Sequence, residues 1–191
     1  MCKLEKVKTG MDLPLLPLPV CIIGAHVDGK PNFNTIVWFN MLNSPPSQIG
    51  VAMSKRHYTS KGIKENGEFS LNLPSVDMVE VTDYVGLHSG SEIDKSEIFN
   101  IFYGELKKAP MIENCPLNIE CKLVKIIDFE RTELFVGEIV EVYTEEKYLT
   151  ESKADFNKMD LFIFLMPEGP YLRVGEYLAK AYDIGNSYKP K

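Results

Sequence analysis

The sequence lacks most of the features that would place it quickly. No stretch approaches the roughly 18 uninterrupted apolar residues of a membrane span, and the opening MCKLEKVKTG is too polar for a signal peptide, so the expected address is the cytoplasm, away from membranes. There is no GxxxxGK[ST] loop and no GxGxxG after a strand-like run, which disfavours a nucleoside triphosphate site and a Rossmann-held dinucleotide. Cysteines are sparse: Cys2, Cys21, Cys115 and Cys121 form no CxxC pair, and CPLNIEC does not have a common zinc-site spacing. They read as reduced thiols, with Cys121 a small core hydrophobe and Cys115, before Pro116, partly exposed. The histidines His26, His57 and His88 are too scattered to form a metal constellation, so no metal site is expected. Basic residues number 21 against 27 acidic ones, spread along the chain for a net charge of −6, which leaves no long basic face for nucleic acid.

What is present is an ordinary globular composition, 45% hydrophobic over 191 residues, which suits one domain spanning 1–191. Strand-like runs dominate. Pro19 to Val27 ends in the turn signal Asp28-Gly29-Lys30 and leads into Asn34 to Leu42, which predicts a hairpin. After Pro45-Pro46, Ile49 to Ser54 and Phe69 to Leu73 read as further strands, with a short helix between them that begins near Thr59 or Ser60 and stops at Gly67. The stretch from Ser75 to Pro110 is irregular. Asn118 to Glu130 and Thr132 to Thr144 alternate with a period of about two and predict a long hairpin turning near Arg131. Leu161 to Met166, LFIFLM, is continuous and apolar, as expected of a strand buried on both faces, and is a possible subunit interface. Around seven strands without regular strand–helix alternation predict a mainly β fold, an antiparallel barrel or sandwich with a few short helices.

One segment points to chemistry. In SKRHYTSKGIK, Ser54 to Lys64, the cations Lys55, Arg56 and Lys61 gather around a predicted helix N-terminus that holds no acidic residue. The partial positive charge of that terminus prefers anionic neighbours by about 0.3–1 kcal/mol each, so the arrangement is electrostatically unfavourable unless an anion binds there. Free amides, the hydroxyls of Thr59 and Ser60 and the guanidinium of Arg56 are the donors a phosphate monoester needs. The same residues also read as solvated surface charges with Thr59 serving only as an N-cap. Trp38, the lone tryptophan, reads as core or as a ligand platform, and the acidic run at Glu145-Glu146 as a solvated loop.

Taken in order, NTIVW (Asn34 to Trp38), Pro45-Pro46, SxRxxT (Ser54 to Thr59), FSLNLP (Phe69 to Pro74), GLHSGSEIDK (Gly86 to Lys95), ENCPLNIEC (Glu113 to Cys121) and GEIVEVY (Gly137 to Tyr143) resemble the flavin reductase-like, FMN-binding split-barrel family, which includes flavoredoxins. The resemblance implies a Greek-key split β-barrel that forms a homodimer, with FMN in a groove near the subunit interface. It implies that Asn34, Thr35, Ile36, Val37 and Trp38 lie along the isoalloxazine and that Met53 and Ser54 line the same groove. Ser54, Arg56, Thr59 and Ser60 would hold the phosphate, Asn72 would face the ligand, and His88, Ser89, Gly90 and Lys95 would come from a loop beside the flavin.

No catalytic acid or base is identifiable, because in such a protein the flavin carries the chemistry. The implied activity is that of an oxidoreductase passing electrons from NADH or NADPH through FMN to free flavin, a ferric complex or another small acceptor. A flavoredoxin-like carrier, whose tightly bound FMN is reduced by a partner protein, is the alternative. A non-redox β-barrel that binds another phosphorylated or apolar ligand is the third reading.

Overall fold

The computed structural model describes residues 5–8, 10 and 13–190; Cys2 lies outside them. After the short strand β1 (Leu16–Pro19), the chain forms β2 (Cys21–Val27), β3 (Lys30–Ile36), β4 (Phe39–Asn43), β5 (Gln48–Ser54), helix α1 (Tyr58–Asn66) and β6 (Glu68–Leu73). Helix α2 (Val79–Leu87) opens an excursion that holds the short pair β7 (Ile101–Phe102) and β8 (Met111–Ile112). Then come the long strands β9 (Leu117–Asp128) and β10 (Thr132–Tyr143), the short pair β11 (Leu149–Thr150) and β12 (Lys153–Ala154), helix α3 (Phe156–Met159), β13 (Phe162–Met166) and β14 (Tyr171–Arg173).

Seven strands form one antiparallel sheet in the order β3-β2-β6-β9-β10-β5-β4. Laid flat, its edge strands would stand nearly 30 Å apart at about 4.8 Å per strand. Yet β3 and β4 occupy the two edges and are joined only by Val37 and Trp38. That connection cannot span more than about 11 Å. The sheet is therefore rolled into a barrel whose seam lies between β3 and β4. Its interior holds Ile23, Ile36, Val51, Met53, Phe69, Leu71, Cys121 and Phe135, with Ile63 of α1 closing one side.

The predicted first hairpin is β2–β3, with Asp28-Gly29 as its turn and both residues at positive φ, the geometry that matches strand twist. The predicted strand from Asn34 to Leu42 is divided, because the chain crosses the seam at Val37-Trp38 and pairs with β5 beyond it. The hairpin near Arg131 forms as predicted, with two register shifts along β9–β10.

Two readings of burial are corrected. LFIFLM is not buried on both faces: β13 lies between β1 and β14 in a separate three-stranded sheet, and Ile163 to Met166 are half-exposed. β2 and β6 are the strands covered on both faces; in β2, Ile23 faces the barrel while Ile22 packs with Phe33, Met78, Val85, Ile112 and Cys115 under α2 and the excursion. Cys115 is buried there, not partly exposed, and burial raises its thiol pKa. Cys121 is buried in the barrel as predicted, its thiol pushed up to about 12 by desolvation.

Helix α1 is fixed by one close approach. A Cβ at Gly62 would lie 2.0 Å from the carbonyl oxygen of His26 on β2. Gly67, at φ 67°, ends the helix by donating its N–H to the Ile63 carbonyl. Replacing Gly62 with Ala has to push the helix off the barrel, and the expected cost is about 1–3 kcal/mol or more. Urea denaturation should show a lower midpoint with an unchanged slope; an unchanged midpoint would mean that the helix moves freely at this point.

Candidate functional site

Helix α1 starts at Tyr58, with His57 as its N-cap residue, and neither His57 nor Thr59 makes a side-chain cap hydrogen bond. Thr59 is therefore not the N-cap. Its hydroxyl accepts from Asn32 Nδ2 at 2.7 Å, which leaves its own O–H free to donate. The first turn contains no acidic residue. In front of it lies a cavity of about 130 Å³ lined by Asn34, Arg56, His57, Tyr58, Thr59 and the loop Gly86–Gly90 with Lys95. Three segments distant in sequence, β3, the start of α1 and the end of α2 with its following loop, meet there.

The loop is held over β3 by two devices. Gly90 passes so close that a Cβ would lie 1.9 Å from Asn32 Oδ1. The ammonium of Lys95 is buried and donates to the carbonyls of Phe33 at 2.9 Å and Val85 at 2.7 Å. Val85 belongs to the last turn of α2, whose unpaired carbonyls and partial negative charge favour a cation. Burial lowers the Lys95 pKa to about 8.

The cations of SKRHYTSK are sorted by their partners. Lys55 pairs with Asp128 at 2.6 Å, and Lys61 reaches both oxygens of Asp28 in the β2–β3 turn at 2.6 and 2.8 Å. Tyr58 donates to the same carboxylate at 2.7 Å. Among the described residues Arg56 alone of the three cations has no carboxylate partner. It borders both the small cavity and a wider one of about 570 Å³ lined by Ser54, Lys55, Glu130 and Arg131. Lys61, part of the predicted anion cluster, is thus neutralised, and the free positive charge concentrates at Arg56.

The small cavity is lined by donors and cations, with no Asp or Glu among its lining residues. Two of its polar atoms, Asn34 Nδ2 and His57 Nδ1, are buried without a hydrogen-bond partner, and Asn34 is only 8% exposed. An unsatisfied buried donor costs about 1–3 kcal/mol, so a structure keeps one where a ligand satisfies it. A phosphate monoester fits this donor set: it is an acceptor-only dianion facing amide, guanidinium, hydroxyl and helix N–H groups.

Of the predicted residues, Asn34, Arg56, Thr59, His88, Ser89, Gly90 and Lys95 come together around this cavity, and Ser54 lines the adjoining one. Trp38 is 40% exposed at the seam with its indole N–H on Met166 Sδ at 3.2 Å, and is neither core nor fully free. Thr35 and Val37 are half-buried beside it, and the Thr35 hydroxyl donates to the Thr82 carbonyl of α2.

Four of the predicted residues do not present their side chains to this cavity. Ile36 and Met53 point into the barrel core, and the Ser60 hydroxyl is buried against Met53 Sδ, so these side chains do not face the cavity. Asn72 does not line this cavity either. Its amide donates to the Ile22 carbonyl and Ser70 Oγ and accepts from Ile112 N–H and Asn118 Nδ2, which saturates a fully buried side chain.

His57, Tyr58 and Arg131 were not nominated from the sequence, although His57 and Tyr58 sit inside the very segment that was. A wider cavity of about 740 Å³ at the far end of β9–β10 is lined by Asp77, Glu113 and Glu145 with Lys147, a mainly acidic set unsuited to phosphate.

Comparisons with known proteins bear on the fold and the family. The chain superposes on a flavoredoxin from Methanosarcina acetivorans with TM-score 0.93 and 46% identity, covering 96% of this chain and 99% of that one. An FMN-binding protein from Thermus thermophilus gives TM-score 0.79 and 26% identity over 93% of this chain and 100% of its own. A ferric-chelate reductase (NAD(P)H) from Archaeoglobus fulgidus is 31% identical over 121 residues, 62% of this chain and 70% of that protein. Residues 13–159 match the flavin reductase like domain, and the chain belongs to the flavin reductase-like family.

Proposed function

We propose that the protein is an FMN-dependent oxidoreductase that takes electrons from NADH or NADPH and delivers them to free flavin, a ferric complex or another small acceptor. The observation that carries this reading is the carboxylate-free cavity at the start of α1, where Arg56 has no ion partner and the buried Asn34 amide has no hydrogen-bond partner. Those residues suit the phosphate end of FMN. Ser54, which lines the wider cavity beyond Arg56, and the half-buried or exposed seam residues Thr35, Val37 and Trp38 are the candidates for contacts to the ring. Bound FMN would supply the hydride- and electron-accepting chemistry. The protein's own part is to fix the phosphate, shield one side of the ring against the barrel wall and leave the other side open.

A second reading has a specific basis in the 46% identity to a flavoredoxin: a carrier with resident FMN reduced by a protein partner. The two separate kinetically. Anaerobic addition of NADH or NADPH to the FMN-loaded protein should bleach the visible flavin band within seconds under the reductase reading; a band that persists until a redox protein is added supports the carrier. Protein that binds no flavin would remove both.

We also propose a homodimer. The stretch after β14 displays Tyr177, Leu178, Tyr182, Ile184 and Tyr188 at 62–103% exposure, and its backbone hydrogen bonds are local. Solvent-exposed aromatic and aliphatic residues at that density suit burial against a second copy. The double variant Leu178→Asp, Tyr182→Asp should sediment as a monomer where the native protein sediments as a dimer, and an unaffected dimer would place the interface elsewhere.

Arg56→Ala should weaken FMN binding by about 10- to 150-fold, the value of a charge-assisted hydrogen bond of about 1.5–3 kcal/mol, while riboflavin, which lacks the phosphate, should lose little. Equal losses for both ligands would move Arg56 away from the phosphate. Asn34→Leu should separate binding from stability: removing a buried, unpaired amide should leave the flavin-free protein as stable as before or more so, and FMN affinity should fall. Urea denaturation and fluorescence titration measure the two quantities, and a strongly destabilised variant that still binds FMN normally would make Asn34 a structural residue.

A further inference from the structure

We infer that His57 takes up a proton when a phosphate monoester dianion enters the cavity at the start of α1, so that capture of the ligand there is coupled to protonation of this imidazole. The inference rests on the FMN reading and extends it to a residue to which that reading gives no part. His57 stands at the N-cap position, but its side chain makes no cap hydrogen bond; instead Nδ1 is buried, unpartnered and part of the cavity lining. A ring in that place has a buried nitrogen with no partner.

The groups that share the cavity explain why the ring is neutral beforehand. Its own segment presents Arg56 and Tyr58, α2 and the following loop present His88 and Lys95, and β3 contributes the neutral amide of Asn34. No carboxylate is among them. Desolvation first, and the charge of Lys95 second, hold the His57 pKa below its usual value. A phosphate monoester carries about −1.5 to −2 charge near pH 7, and an opposite charge within about 4–6 Å raises the pKa of a cationic acid by one to three units. Entry of the dianion thus reverses the local field and moves the imidazole across neutrality.

The sign follows from linkage. Because the complex holds the extra proton, the added affinity is fully present below the pKa of His57 in the free protein and is lost as pH rises through its pKa in the complex. Between the two, the FMN dissociation constant should rise about tenfold per pH unit. Lys95, at about 8, and the second ionisation of the phosphate, near 6, titrate against the same anion, and the His57→Asn variant isolates the share of the imidazole.

The test is calorimetric titration with FMN and with riboflavin at pH 7.0 in two buffers of different ionisation enthalpy. A net proton uptake, approaching one per FMN as the pKa in the complex rises well above 7, should accompany FMN binding and be absent with riboflavin. His57→Asn should abolish the uptake while His88→Asn retains it. Nuclear magnetic resonance of the His57 ring in the unaltered protein should show its pKa rising by more than about one unit on FMN binding. FMN binding without proton uptake, uptake that persists in His57→Asn, or a ring pKa unmoved by FMN would each overturn the inference and leave the cofactor reading standing. A protein that does not bind FMN at all would overturn the cofactor reading and this inference together.

Discussion

The contact on which the candidate site depends is the approach of α1 to β2, where Gly62 lies against the His26 carbonyl with no room for a side chain. That contact sets the height of the helix above the barrel, and so decides where its first turn points. With the helix seated, Thr59 comes within hydrogen-bond reach of Asn32 on β3, and Tyr58 and Lys61 reach Asp28 in the turn between β2 and β3. The loop after α2 closes over the same strand through Gly90 and Lys95. Each element is ordinary alone; their convergence on β3 produces a cavity whose walls are donors.

The electrostatics of the site are decided by pairing more than by composition. A chain with a net charge of −6 is a poor general partner for anions, yet ion pairs consume Lys55 and Lys61 and leave Arg56 free at the point where two cavities meet. Exposed pairs of this kind contribute little to stability, about 0–1 kcal/mol. Their effect here is to sharpen a diffuse basic cluster into one directed charge.

Much of this was legible in the sequence, and the failures have physical reasons. Period-two alternation located β9 and β10, the Asp28-Gly29 turn located the first hairpin, and the absence of acid in the first turn of α1 pointed to the segment that borders the small cavity. Burial on two faces was assigned to the wrong strand, because β13 is apolar in sequence but packs in a small three-stranded sheet, whereas β2 contains Gly24 and His26 and is still enclosed by the barrel on one side and α2 on the other. Asn72 was read as facing the ligand only by the family resemblance, which carries no account of its local partners. Only the fold reveals that Ile112 and Asn118 supply its partners from distant segments. Asn32 was within reach of inference, since it lies two residues before Asn34 and so on the same face of β3.

Asp28 gives the site an unexpected control point. It stands in a hairpin turn, outside the lining of the phosphate-sized cavity, and its carboxylate occupies Lys61 and Tyr58 together. The charge beside the cavity is thus set partly from outside its lining: Asp28 and Glu65 hold Lys61, and Arg56 remains the one cation of this segment with no carboxylate partner among the described residues. A surface turn, where substitution disturbs the packing least, can therefore alter the field around the helix start.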